Sequence, residues 1–187
     1  MEQLLKYKLI IILLAPLLII FFILFLVMAS TGTILNLPEL VLTNFFNIPF
    51  EDDTTYVITS KYGERLDPMT NELSFHSGID LAIPEGTNVI NAYPGKVIKV
   101  GYEDNGLGEY IKVQHTIEND LYMTVYGHLK KDSTLVKEGD SLSENTVIAL
   151  SGNTGKSTGP HLHFEVHLLK KDGSLDKKID SINIFDE

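Results

Sequence analysis

His161-Leu162-His163-Phe164-Glu165-Val166-His167-Leu168, near the C-terminal end of the chain, alternates polar and apolar side chains. Because successive side chains of a β-strand point to opposite faces, this stretch predicts a strand with one apolar face for the core. The other face carries three histidines and a glutamate. Two histidines at positions i and i+2 stand side by side on such a face, so one can bind a metal ion while the other is directed at its water.

Outward from this strand, the chain from Tyr56 onward divides into short β-rich runs separated by turn residues. The clearest runs are residues 55–60, 87–92, 95–100, 109–115 and 122–126. Breakers such as Pro84-Glu85-Gly86 and Pro94-Gly95 lie between the runs at spacings typical of antiparallel sheets. We find no convincing amphipathic helix, and we therefore expect one mostly β domain over residues 56–187.

Two further short motifs contain histidine: His76-Ser77-Gly78-Ile79-Asp80 and Tyr126-Gly127-His128-Leu129. The chain has no cysteine, so a bound metal ion would be held through nitrogen and oxygen atoms. A histidine, a carboxylate and a second histidine form a three-ligand zinc site whose fourth position stays open for water. An open position indicates a catalytic site rather than a structural one.

The ordered motifs between about Thr59 and Val166 resemble the LytM/lysostaphin-type zinc endopeptidases, which cut peptidoglycan peptides. Besides the three histidine motifs, the resemblance includes Tyr62-Gly63-Glu64-Arg65, Pro68, the continuation of the first motif to Val89, Gly95-Lys96-Val97, Gly139-Asp140 and residues 148–155. It implies an antiparallel β-sheet domain of the duplicated hybrid motif type. It also implies one zinc ion per chain and peptidoglycan peptides as the substrate.

The same resemblance assigns the site residues. It makes His76, Asp80 and His163 the metal ligands, and His128 and His161 the catalytic pair. These two histidines would accept a proton from water, hydrogen-bond the oxyanion and return a proton to the leaving amine. How the two divide these roles is left open.

Other polar residues near the motifs are given separate predictions. Arg65 is predicted to contact substrate carboxylates in the cleft. Glu165 either orients a histidine or lies at the surface, and both alternatives stay open. His115 and His167 are predicted to be structural or solvent-facing. Residues 151–157 are similar to a phosphate-binding loop around Gly-Lys-Ser, but they lack its first glycine and precede a strand, so we interpret them as a loop leading to His161.

The N-terminal block from Leu9 to Val27 contains nineteen residues without a charged or polar side chain. At ~1.5 Å per residue this length spans a bilayer core of ~30 Å, which predicts one transmembrane helix within residues 1–30. Lys6 and Lys8 precede the block, so the N-terminus is predicted to be cytoplasmic. The catalytic domain would then lie outside the cell membrane, attached by a single span.

A cleaved signal peptide is the alternative for this block, because Val27-Met28-Ala29 provides the modest side chains of a cleavage site. The apolar core is longer than the ~7 to 15 residues of such signals, which favours an uncleaved anchor. Cleavage would make the domain secreted. Residues 31–55 show no sustained periodicity and are predicted to be a linker.

Charge and motifs together limit the expected functions. A net charge of −10 argues against nucleic acid as a partner, and the sequence identifies no protein partner. The leading hypothesis is a zinc metalloendopeptidase that hydrolyses peptide bonds in the cross-bridges or stem peptides of bacterial peptidoglycan. One alternative is a non-cleaving structural or regulatory component of an envelope machine, such as a wall-binding scaffold or hydrolase activator. Another is a zinc peptidase that acts on proteins.

Overall fold

The computed structural model describes residues 45–185, in which antiparallel β-strands dominate. The strands in this range are β1 (Val57–Ser60), β2 (Gly63–Leu66), β3 (Leu73–His76), β4 (Ile79–Ala82), β5 (Asn88–Ile90), β6 (Gly95–Glu103), β7 (Gly108–Ile117), β8 (Asp120–Leu129), β9 (Ser141–Leu142), β10 (Val147–Leu150), β11 (Leu162–Leu169) and β12 (Leu175–Ile179). A turn of 3₁₀ helix, Ile182–Ile184, follows β12. The prediction of a mostly β domain with antiparallel sheets is confirmed.

The predicted membrane anchor or signal peptide, residues 1–30, lies outside the described residues, as does most of the predicted linker. Within the described range, no helix is long and apolar enough to cross a membrane. The end of the linker does contribute to the domain, because Phe46 and Phe50 are 4% and 1% exposed. Backbone hydrogen bonds from Asn47 to Ala92 and from Ile90 to Pro49, both 2.9 Å, hold this segment on the sheet without regular secondary structure.

The main sheet has eight strands in the spatial order β1-β4-β11-β8-β7-β6-β9, with β12 also pairing with β11. Strand β8 pairs with one edge of β11. On the other edge, β4 pairs with the beginning of β11 and β12 pairs with its end. The pairs β2–β3 and β5–β10 form two small separate sheets. This arrangement places β11 between the strands that carry the other two histidine motifs.

The apolar face of β11 lies in the core, as the alternation predicts. Leu162, Phe164 and Val166 are fully buried, and the rings of Phe164 and Tyr126 pack with their centroids 5.4 Å apart. Full burial of such an apolar side chain contributes about 1.5–3 kcal/mol. The opposite face is also buried, and of its polar residues His163 and Glu165 line a cavity.

The register of β11 brings the histidine motifs together. His163 pairs with Asp80 on β4 and with Gly127 on β8, next to His128. Between His76 and Asp80 the chain turns at Gly78, where an added Cβ would lie 2.4 Å from the carbonyl oxygen of Phe164. Glycine therefore lets this turn approach β11 closely enough for the motifs to meet.

Candidate metal centre and substrate groove

His76, Asp80 and His163 direct three potential ligand atoms at one point. Nε2 of His76 lies 3.0 Å from Oδ1 of Asp80 and 3.1 Å from Nδ1 of His163. Nδ1 of His163 lies 2.8 Å from the same carboxylate oxygen. Ligand atoms ~2.0–2.1 Å from a tetrahedral zinc ion are about 3.3 Å apart, so the triangle is nearly the size of one face of such a site. The three residues, all buried, therefore fit a metal ion.

Hydrogen bonds on the far side of each ring leave the converging nitrogens free to bind metal. Nδ1 of His76 lies 2.9 Å from the carbonyl oxygen of Lys61, which can only accept, so Nδ1–H donates and Nε2 keeps its lone pair. Nε2–H of His163 donates to Oε1 of Glu165 at 2.9 Å, so Nδ1 is the nitrogen that faces the other two ligand atoms. Burial lowers the pKa of His163, but hydrogen bonds to Asp80 and Glu165 outweigh it and raise the pKa to about 9, so Nδ1 would give up a proton when a metal ion binds. Metal-binding histidines typically donate their other N–H to a carbonyl or carboxylate, and both rings follow this rule.

Glu165 is buried, and both of its carboxylate oxygens have partners. Oε1 also accepts a hydrogen bond from Ser77 Oγ at 2.5 Å, while Oε2 accepts one from Nε2 of His167 and lies 3.6 Å from Nζ of Lys178. Burial alone raises the pKa of the Glu165 carboxyl, but hydrogen bonds from His163 and His167 outweigh it and hold the pKa well below its usual range. Of the two open alternatives, the structure favours Glu165 as the residue that orients His163, and it makes His167 structural.

Arg65 lines the cavity but also makes contacts inside the protein. Its Nη1 donates to Oδ2 of Asp80 at 3.2 Å and to Oγ of Ser60. Burial alone raises the pKa of the Asp80 carboxyl, but the imidazoles of His163 and His76 beside it hold the pKa well below its usual range, so the carboxylate is ionised as a metal ligand must be. Arg65 thus fixes the oxygen of Asp80 that does not face the metal site, and its predicted contact with substrate stays a prediction.

His128 and His161 lie beside the three converging residues, with their ring centroids 4.5 Å apart. Nδ1–H of His128 donates to the carbonyl oxygen of Thr154, and Nδ1–H of His161 donates to that of Gly159, both at 2.8 Å. Nε2 of His161 lies 3.6 Å from Oδ1 of Asp80. Because each Nδ1 is engaged, Nε2 is the nitrogen that each ring can use for proton exchange at the site.

A single loop, residues 153–160, holds both of these rings. Thr154 Oγ1 donates to the carbonyl oxygen of Leu129 at 2.6 Å, which fixes the loop against the end of β8. Ser157 Oγ lies 3.2 Å from Nδ1 of His161. The sequence identified a loop here but not this positioning role, because the main acceptors are backbone carbonyls, which carry no side-chain signature.

The five residues open onto a cavity of about 760 Å³. One wall is the β2–β3 hairpin with its turn, which contributes Arg65, Asp67 and Phe75. Loops at residues 103–107 and 156–160 form another wall. A cavity of ~300–1,000 Å³ is typical of ligand-binding clefts, and we refer to this one as the groove.

Comparison with known proteins is consistent with a peptidase site. The family model described as peptidase family M23 matches residues 74–177. That range includes all five histidine and aspartate positions of the site. It also includes Glu165 and the loop that positions His128 and His161.

Three individual proteins illustrate the similarity. The peptidoglycan DD-endopeptidase ShyA of Vibrio cholerae is 41% identical over 115 residues, which are 61% of this chain and 25% of ShyA. A solved zinc-containing peptidase from Vibrio cholerae matches with a TM-score of 0.61 and 36% identity, over 75% of this chain and 40% of that one. The catalytic domain of lysostaphin from Staphylococcus simulans matches with a TM-score of 0.56 and 26% identity, over 70% and 91%. Two other curated relatives, both described as metalloproteases, are matched over 21% and 32% of their own length, and ShyA is matched over 25%. The similarity therefore concerns this domain.

Proposed function

Because the chain belongs to peptidase family M23, as its LytM/lysostaphin-type motifs predict, we propose that it is a zinc-dependent endopeptidase acting on peptidoglycan peptides. The observation that carries the proposal is the convergence of three buried ligand atoms beside a second pair of histidines. The donor set of two imidazoles and one carboxylate suits zinc. The carboxylate of Glu165, hydrogen-bonded to the imidazole of His163, is the kind of outer partner that zinc-binding histidines have.

The residues around the metal site supply the proton transfers of hydrolysis. A zinc ion held by His76, Asp80 and His163 would polarise the scissile carbonyl and lower the pKa of a water molecule to about 7. Burial, with His161 alongside, lowers the pKa of His128 to about 4, so its Nε2 has a free lone pair at neutral pH. Water adds across the C–N bond, one histidine accepts its proton, and the proton passes to the leaving amine.

The substrate class rests on the relatives and on the shape of the site. ShyA is described as a peptidoglycan DD-endopeptidase, and the groove is open and large enough for a peptide. We therefore propose peptide bonds in cross-bridges or stem peptides as the targets.

Zymography on purified cell wall tests the proposed activity. The full chain, purified in detergent, should clear the embedded wall when zinc is present and lose this activity after chelation. His163→Ala, which removes one ligand, and His128→Ala, which leaves all three ligands, should both be inactive. Absence of zinc-dependent clearing by the wild-type chain would reject the proposal and favour a non-cleaving role.

We propose that residues 1–30 anchor the protein in the cell membrane with the peptidase domain outside. This proposal rests on the nineteen apolar residues from Leu9 to Val27 and on Lys6 and Lys8 before them. Fractionation followed by protease treatment of spheroplasts tests it. Full-length protein in membranes, digested from outside, is the expected result, whereas a shortened soluble form would indicate a cleaved signal.

A further inference from the structure

An ion pair joins two walls of the groove. Nζ of Lys156 lies 2.5 Å from Oδ2 of Asp67, and both residues line the cavity. Lys156 belongs to the loop that holds the rings of His128 and His161, while Asp67 follows β2 in the hairpin wall. Within residues 45–185, no other hydrogen bond or ion pair is found between this loop and the hairpin.

The acidic end of this bridge is fixed, and the basic end is the part that can move. Oδ1 of Asp67 accepts hydrogen bonds from the backbone N–H groups of Met69 and Thr70 at 2.9 and 3.1 Å, which leaves Oδ2 for Lys156. The backbone N–H of Lys156 donates to the carbonyl oxygen of Gly106 at 2.9 Å. The lysine side chain is 40% exposed, against 15% for Asp67, so its flexible stem leaves the carboxylate more easily than Asp67 leaves its backbone partners. Once the pair has parted, the two walls are free to move apart and the groove widens.

The bridge is too weak to close the groove permanently. Exposed ion pairs contribute so little that breaking one changes a population by no more than about fivefold. The hydrogen bond from Lys156 has the largest effect on the pKa of Asp67. Together with those from Met69 and Thr70 it lowers this pKa to about 2, so the carboxylate stays charged at neutral pH. The bridge is therefore present at neutral pH and yet opens readily.

We propose that the Asp67–Lys156 bridge sets the length of peptide that the protein prefers, an inference that rests on the proposed peptidase function. A peptide that lies along the whole groove must pass the bridge and binds only when the pair has parted. A short peptide that stops before the bridge binds in either state. The bridge thus lowers the activity toward extended or cross-linked peptides relative to short ones.

Two variants of the full chain test this proposal. Lys156→Met removes the charge and keeps the apolar stem, and Asp67→Asn keeps the Oδ1 acceptor for Met69 and Thr70. For two peptides with the same scissile bond, one short and one extended on both sides, both variants should raise the extended-to-short ratio of kcat/KM by about two- to fivefold. Lys99→Met is the control. It breaks the exposed ion pair between Lys99 and Glu138, whose Nζ and Oε1 atoms are 3.0 Å apart and which does not line the groove, so it should leave the ratio unchanged. An unchanged or lower ratio in both bridge variants would overturn the proposal.

A distance measurement distinguishes failure of this inference from failure of the proposed function. The chain has no cysteine, so spin labels on Met69→Cys and Thr158→Cys, two exposed positions on facing walls, report the groove width alone. Adding Lys156→Met should broaden the distance distribution. An unchanged distance distribution would overturn the proposed role of the bridge, even if the wild-type protein cleaves peptides. A broadened distribution in a protein that cleaves neither peptide would reject only the proposed peptidase activity.

Discussion

Glu165 determines which ring nitrogen of His163 is available to a metal ion. Its Oε1 accepts hydrogen bonds from Nε2–H of His163 and from the hydroxyl of Ser77. The carboxylate therefore joins β11, which carries His163, to the turn that follows His76. Replacing Glu165 by Gln removes the charge and places an amide N–H₂ in this network. We expect Glu165→Gln to weaken zinc binding by about 10- to 100-fold, the typical effect of losing an outer partner.

Competition with a chromophoric chelator measures this affinity directly. Glu138→Gln is the control, because Glu138 pairs with Lys99 at the surface and does not line the groove. Equal zinc affinities for wild type and Glu165→Gln would show that the orientation of His163 does not depend on this carboxylate.

Gly78 is the residue that allows the first histidine motif to approach β11. A Cβ at this position would lie 2.4 Å from the carbonyl oxygen of Phe164 and 3.0 Å from Cε1 of His163. Gly78→Ala should therefore lower the free energy of unfolding by about 1–3 kcal/mol through overpacking. Urea unfolding measures the change. Gly159→Ala is the control, since a Cβ there would meet nothing within 4 Å, and an equal loss in both variants would contradict the steric account.

Spacing in the sequence predicts the faces of these residues but not the state of their rings. The i, i+2 alternation placed His163 and Glu165 on one face of a strand, and the structure confirms that face. The nitrogen that each histidine presents is set by partners such as the backbone carbonyls of Lys61 and Thr154. Such partners come from distant segments and do not depend on side-chain type, so only the folded chain reveals them.

At the scale of the strands, β7 and β8 bury a histidine that takes no part in the metal site. His115 is 1% exposed; its Nδ1–H donates to the carbonyl oxygen of Pro94 at 3.1 Å and its Nε2 lies 2.8 Å from Oγ1 of Thr124. Burial lowers its pKa to about 4, against hydrogen bonds to Pro94 and Tyr93 that raise it. Of the two roles predicted for His115, the structural one is therefore confirmed.

Because His115 is buried in its neutral form, we expect the free energy of unfolding to decrease in acid. Between about pH 6.5, the pKa of an unfolded histidine, and about pH 4, the pKa of folded His115, the unfolded state binds more protons, so stability falls as the pH falls. The loss attributable to His115 is about 3 kcal/mol across this window. Urea unfolding at a series of pH values measures it.

His115→Gln serves as the comparison because it keeps a polar side chain on β7 without a titrating ring. The variant should be less stable near neutral pH but should lose less stability on acidification than the wild type. If both proteins lose the same free energy of unfolding between these pH values, protonation of His115 is not the cause.

Strands with an ordinary core face were easier to predict than the hairpin that lines the groove. β11 has its apolar residues in the core, and its alternation identifies it. On β2 and β3 the pattern is inverted, because Leu66 and Leu73 are 60% and 72% exposed while Arg65 and His76 line the groove. A pattern in which polar residues face inward gives no indication of which face is covered until the site itself is known.

A metal ion bound by His76, Asp80 and His163, as proposed, would link the stability of the entire domain to its chemistry. These candidate ligands come from β3, β4 and β11, so the ion would join the small β2–β3 sheet to the main sheet. A ligand that binds only the folded state adds about 4 kcal/mol when its concentration is 1,000 times its Kd. We therefore expect chelation to lower Tm and zinc to restore it.

Differential scanning fluorimetry measures this shift. His163→Ala should show no zinc-dependent rise in Tm, whereas Lys99→Met should respond as the wild type does. Identical Tm values for the wild type with excess zinc and with chelator would argue against a metal site made by these residues.

Residue types and their order were enough to predict the mostly β domain class. The family resemblance named five positions that lie close together in the fold, and their roles as metal ligands and catalytic residues stay predictions. The domain limits were harder to predict, because Phe46 and Phe50 reach the core from a segment without periodicity. The groove bridge between Asp67 and Lys156 was also not foreseen. Its partners lie 89 positions apart in the sequence and meet only because the hairpin and the loop face each other.

Mass spectrometry of the fragments released from defined, cross-linked muropeptides is the decisive test of the proposed zinc-dependent hydrolysis. With the full chain and zinc, we expect one new amine and one new carboxylate at a single type of peptide bond, with a mass gain of one water per bond. These products should be absent after chelation and with His163→Ala. Intact muropeptides after prolonged incubation with zinc-loaded wild-type protein, or the same fragments from His163→Ala, would contradict it.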